Sequence, residues 1–180
     1  MINRQQAFVL IKKYIKNDKL IQQSLITEAI LRKIANILVT NEELWGLTGL
    51  LYNIDYEYTL QEPEKRGIFA AQLLDGLLPE GCINAIKSIN YQHSGYVPSS
   101  SLDKSMVATV AFMDFFTSVY GLSSFKDFKD INADILKNKL FETNFTNVNL
   151  RSRILLCNDV GIDLNDFLEI CLNTINEKIK

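Results

Sequence analysis

The 180-residue chain has one histidine, His93, and that scarcity excludes more chemistry than any motif suggests. Zinc centres of the HExxH kind need two histidines, and a Ser-His or Cys-His nucleophile would have to recruit His93 itself. His93 falls in YQHSGYVPSS, a loop by composition, where an ordinary solvent-facing histidine is the simpler reading. Patterns of the form GxxxxGK[ST], GxGxxG and GxSxG are missing, so neither a nucleotide-cradling loop nor a hydrolase elbow is expected. The three cysteines, Cys82, Cys157 and Cys171, form no CxxC pair and sit among apolar residues. Buried, reduced thiols are expected.

Proline is also scarce, at three residues, and there is no internal repeat, low-complexity tract or linker-like shift in composition. A single domain over residues 1–180 is therefore expected. With 47% hydrophobic residues, such a domain buries roughly 70% of the surface its unfolded chain exposes. Charge of either sign is not in excess: 19 Lys and Arg stand against 21 Asp and Glu, a net −2, and the basic residues are scattered. Nucleic acid is not an expected partner. Lysines interrupt the apolar residues of the opening MINRQQAFVLIKKYIK, which reads neither as a signal peptide nor as a membrane span. A cytoplasmic protein without a membrane partner is expected.

What is present is helical periodicity. Apolar residues at 21, 25, 26, 29, 30, 34, 37 and 38 share one face of a helix. Thr40-Asn41-Glu42-Glu43 offers a capping box for a helix running through Leu51, which delivers LLYNIDYE into a loop reaching Pro63. EKRGIFAAQLLDG reads as a helix closed by Gly76, and Pro79 opens another through Ile89. From Ser100 to Tyr120 the chain is apolar on nearly every face in its second half and ends at Gly121, which predicts a helix at the centre of a bundle. Beyond a polar connection, INADILKNKLF, NVNLRSRILLCND and DLNDFLEICLNTINEKIK continue the pattern. No segment alternates like a strand, and an all-α fold follows.

The run Glu43-Leu44-Trp45-Gly46-Leu47-Thr48-Gly49-Leu50-Leu51, then Tyr52-Asn53-Ile54-Asp55-Tyr56-Glu57, resembles the HD-domain superfamily of metal-dependent phosphohydrolases, in particular its HDIG-type members. In them a run like ELWGLAGLLHDIDYE places adjacent His and Asp metal ligands at the helix end. QQSLITEAILRKIA, EKRGIFAAQLL, INAIKSIN, SSLDKSMVATVAFMDF and VGIDLNDFLEICL look like further helices of the family, so the resemblance spans nearly the whole chain. It implies a single-domain HD-type helical bundle.

The resemblance also implies where ligands should stand, and this chain departs at each place. Gln23 replaces a histidine; Tyr52 and Asn53 replace the His-Asp doublet; Arg66 and Ile89 replace two more histidines; Val110 replaces the distal aspartate. Aliphatic side chains have no lone pairs and a guanidinium repels a cation, so no metal cofactor and no phosphohydrolase activity are expected. A binding or regulatory module is the leading reading. Its vestigial pocket comprises Gln23, Tyr52, Asn53, Arg66, Ile89 and Val110, where Arg66 could hold a small phosphorylated ligand by paired hydrogen bonds. The enzyme alternative keeps a divalent metal such as manganese or zinc on relocated ligands, Asp55, His93 and Asp114, and hydrolyses nucleotides or phosphate esters. A third reading has a protein partner, including self-association through aromatic and aliphatic helix faces.

Overall fold

A computed structural model describes residues 1–121, 128, 130–142 and 148–178. The chain is all-α, and among the described residues there is no strand. Its helices are α1 (Arg4–Tyr14), α2 (Asp18–Ile37), α3 (Glu42–Leu51), α4 (Ile68–Leu74), α5 (Glu80–Ser88), α6 (Tyr91–Ser94), α7 (Ser101–Tyr120), α8 (Ala133–Phe141), α9 (Val148–Ile154), α10 (Leu156–Asp159) and α11 (Leu164–Lys178). Single-turn 3-10 segments occupy Tyr56–Tyr58 and Pro63–Lys65. Among the described residues no helix is long and apolar enough to cross a membrane.

Short polar side chains start most of these helices by accepting free backbone N–H groups. Asn3 and Gln6 form a capping box on α1, and Ser100 and Asp103 form another on α7. For α3 the cap is Asn41, whose Oδ1 accepts from Leu44 N at 3.0 Å, not the Thr40 box that the sequence suggests. Thr40 instead donates its hydroxyl to Ala35 O at 3.2 Å and closes α2, because the turn between the helices takes Val39 through φ +53°. The α2–α3 hairpin is tight. A Cβ on Gly49 would lie 2.9 Å from Thr27 O, so α3 rests backbone-to-backbone on α2.

Three of the expected elements are redrawn. The helix expected from Glu64 to Gly76 breaks at Arg66-Gly67: Gly67 adopts φ +84°, and a Cβ there would meet Ile86 O at 2.8 Å. YQHSGYVPSS contains the short α6 before Gly95 turns left-handed. NVNLRSRILLCND is two pieces, α9 and α10, divided at Leu155. The opening segment, assigned no element from its pattern, is α1. Part of the polar connection after Gly121 and the first residue of NVNL lie outside the described residues.

α7 lies at the centre, against α2, α5, α9 and α10. Phe112 meets Phe115, Phe116 and Phe167 with ring centroids 6.4, 5.8 and 6.1 Å apart, all four fully buried. Glu28, buried on α2, is satisfied by Arg4 at 2.6 Å and Arg32 at 3.1 Å, which ties α1 to α2. Cys82, Cys157 and Cys171 are buried and unbridged. Burial pushes the Cys157 thiol up to about 12 and raises the other two, so all three stay protonated and poor nucleophiles.

Candidate functional site

The chain leaving α3 carries a polar cluster into the interior. Because α3 sits so close to α2, Tyr52 is buried. Burial pushes that phenol up to about 12, with Arg66 opposing and Asp114 adding to the shift. Asn53, Ile54 and Asp55 follow with no exposed surface.

Asp55 organises the next turn. Its Oδ2 accepts from Gly67 N at 2.7 Å and Ala70 N at 2.9 Å, so a carboxylate distant in sequence caps α4 where Gly67 has no side chain to do so. Burial raises its carboxyl above the ordinary range, and the two backbone donors oppose the rise. Glu57 ties the α1–α2 junction in the same way, accepting from Lys16 N at 3.0 Å and Asn17 N at 2.8 Å.

The turn that Asp55 fixes presents Arg66. Its Nη2 donates to Asn53 Oδ1 at 3.0 Å, and its guanidinium lies 4.7 Å from the Tyr56 ring centroid and 5.9 Å from that of Tyr52. Asn90 Nδ2 holds Arg66 O at 3.2 Å. Arg66 Nε is buried without a hydrogen-bond partner. Across the cluster, Arg153 of α9 donates Nη2 to Ile89 O at 2.8 Å, and its Nε is likewise buried and unpartnered. Asp114 of α7 completes the group. Burial raises its carboxyl, and Arg66 and Arg153 both pull it back; burial lowers the Arg153 guanidinium, and Asp114 opposes that.

The structure thus gathers Tyr52, Asn53 and Arg66 of the expected pocket and adds Asp114. Gln23 reaches Thr117 Oγ1 on α7 at 3.3 Å, one turn past Asp114. Ile89 and Val110 are buried aliphatic residues at 4% and 1% exposure, and only the Ile89 carbonyl enters the polar cluster. His93 is exposed on α6. Two contributors, Tyr56 and Arg153, were not singled out from the sequence. Arg153 carried no signal there, since an arginine on an amphipathic segment reads as solvated.

Donor chemistry at this end does not fit a divalent metal. One Asp55 oxygen is committed to two N–H groups, and the Asp114 carboxyl is acted on by the charges of two guanidiniums. Among the described residues no three of His, Cys, Asp and Glu converge as a cation would require, and Asp55, His93 and Asp114 are not brought together. What remains is an arrangement of fixed positive charge, aromatic faces and free N–H donors, which suits an anion. Compared with known proteins, the chain matches no family model, no curated protein and no solved structure.

Proposed function

We propose that this chain is a catalytically silent relative of the HD-domain phosphohydrolases, acting as a binding or regulatory module for a small phosphate-bearing anion, without metal. The observation that carries the reading is Arg66: held by Asn53 and stacked near Tyr52 and Tyr56, it puts a permanent cation where the HD-type pattern has a histidine ligand to a metal. A metal in such proteins activates water and polarises a phosphoryl oxygen. A guanidinium supplies charge and directional donors but no activated water, so the ligand is held and not cleaved. The buried aliphatic residues Ile89 and Val110, at two further ligand positions of the pattern, support the same reading.

The test is threefold. Protein purified without chelator is expected to hold no stoichiometric metal, to show no hydrolysis of nucleotides or phosphate esters with added manganese or zinc, and to bind inorganic phosphate through Arg66. Stoichiometric metal accompanied by turnover overturns the reading.

A further inference from the structure

We infer that the furrow between α1 and the turn after α4 is a docking site for an acidic amphipathic helix of a partner protein. The site is separate from the Arg66 cluster and does not depend on it. α1 already buries one face, through Ala7 and Ile11, which is all that a surface helix needs to hold its place. It carries a second face as well: Gln6, Val9, Leu10 and Lys13, at i, i+3, i+4 and i+7, line an open cavity of about 420 Å³ together with Ile2 and Leu77. Val9, in the middle of that stripe, is 65% exposed. Ile2 N donates to Leu77 O at 3.0 Å and ties the start of α1 to the far wall. At the other end of α1, exposed Tyr58 stands between Tyr14 and Phe69 of α4, at centroid distances of 5.9 and 6.1 Å. Apolar surface left uncovered along a furrow is what helix-in-groove recognition uses.

Charge selects the occupant. Residues 1–17 contain Arg4, Lys12, Lys13 and Lys16 and no aspartate or glutamate. Arg4 pairs with Glu28. Among the described residues the three lysines are in no ion pair. Lys12 lies over the Phe8 ring at 4.6 Å, Lys13 over the Tyr14 ring at 5.5 Å, and Lys16 Nζ donates to Lys12 O and Lys13 O. The carboxylates beside this face are Glu57, which accepts from Lys16 N and Asn17 N past the end of α1, and Asp75 and Glu80, which flank Leu77 in sequence. The wall formed by α1 itself therefore carries only positive charge, and it matches a helix that turns apolar residues into the furrow and carboxylates toward α1. A second copy of the chain matches less well. α1 against α1 would oppose like charges, and the acidic side of α11, with Asp166 and Glu169, has Ile170 as the sole apolar residue lining its own cavity.

A phage-displayed library of amphipathic helices selected on the full chain, with the winning peptide titrated by fluorescence anisotropy, tests the inference. Winners are expected to be apolar at i, i+3 or i+4 and i+7, to be rich in Asp and Glu elsewhere, and to lose affinity as salt rises. Val9→Ser is expected to weaken the winning peptide about tenfold, and Lys12→Glu combined with Lys13→Glu about ten- to hundredfold. All three side chains are exposed, so both variants are expected to fold as wild type does, which circular dichroism checks. The same peptide with lysine in place of each carboxylate is expected to bind the doubly reversed variant better than it binds wild type, a swap that requires charge contact across the furrow. Neutral or basic winners, or wild-type affinity in both variants, overturn the acidic helix. A selection that yields no peptide weakened by Val9→Ser overturns the docking site. Co-sedimentation of wild type with phosphatidylserine vesicles, lost in Val9→Ser, assigns the furrow to a membrane surface, and a dimer in sedimentation equilibrium that Val9→Ser dissolves assigns it to a second copy; either result overturns the partner helix.

Discussion

α7 carries two regions built on opposite rules. Toward α11 it presents Phe112 and Phe116, whose rings pack on Phe167 and Phe128. Elsewhere it carries Asp114, whose carboxyl feels the charges of Arg66 and Arg153, two guanidiniums whose Nε atoms are buried and unpartnered. The first region gains free energy from every contact. The second retains desolvated charge that an aliphatic cluster of the same size would avoid. Groups that cost stability and still sit together are where a binding role is most economically sought.

The comparison breaks most visibly on the apolar side. Phe112→Ala removes a fully buried ring from the middle of the aromatic cluster and is expected to cost about 3–5 kcal/mol, measured by urea denaturation. It should leave phosphate binding by the surviving folded fraction unchanged. Asp55→Ala comes next, since it leaves the N–H groups of Gly67 and Ala70 buried, at about 1–3 kcal/mol for each donor left unpaired. Asp55→Asn keeps an acceptor oxygen and is expected to lose less than half as much. Equal losses for the two variants would show that the charge, not the cap, is what matters there.

A smaller effect has the opposite sign. Val39 is β-branched, 92% exposed and held at φ +53°. Val39→Asn is therefore expected to raise stability by about 0.5–1 kcal/mol, because asparagine tolerates that backbone and no burial is lost. The smallest effect sharpens the polar side. Burial raises the Asp114 carboxyl in the fold, so the native state binds a proton over a range where the unfolded chain does not, and stability falls as pH rises through that range. Asp55 is raised too and has the same sign. Urea midpoints followed from the ordinary carboxylate range up to neutral pH should fall less in Asp114→Asn than in wild type. A parallel pair of curves would place Asp114 outside the desolvated cluster.

Most helices were legible in the sequence because their signals are local: apolar spacing on α2, the apolar run of α7 and Gly121 closing it. Two of the failures have physical causes that the pattern does not carry, one a tertiary contact and one the backbone of a turn. The segment from Glu64 to Gly76 has a helical pattern, yet Asp55 captures Gly67 N and Ala70 N and starts α4 afresh. Asn41 displaces Thr40 as a cap because the chain must first turn through Val39. Near the candidate site, Tyr52 and Asn53 lie in LLYNIDYE, and Arg66 was named with them only through the HD-type resemblance. Arg153 was not, since its neighbours Ile89 and Asp114 are far from it along the chain and only the fold puts them together.

The most direct measurement is a paired titration of chelator-free protein, with manganese in one arm and phenyl phosphate in the other, on wild type and Arg66→Ala. A metal-free anion site gives no stoichiometric manganese binding and a saturable phosphate isotherm that Arg66→Ala abolishes. Stoichiometric manganese binding followed by phosphate release, unchanged in Arg66→Ala, contradicts it.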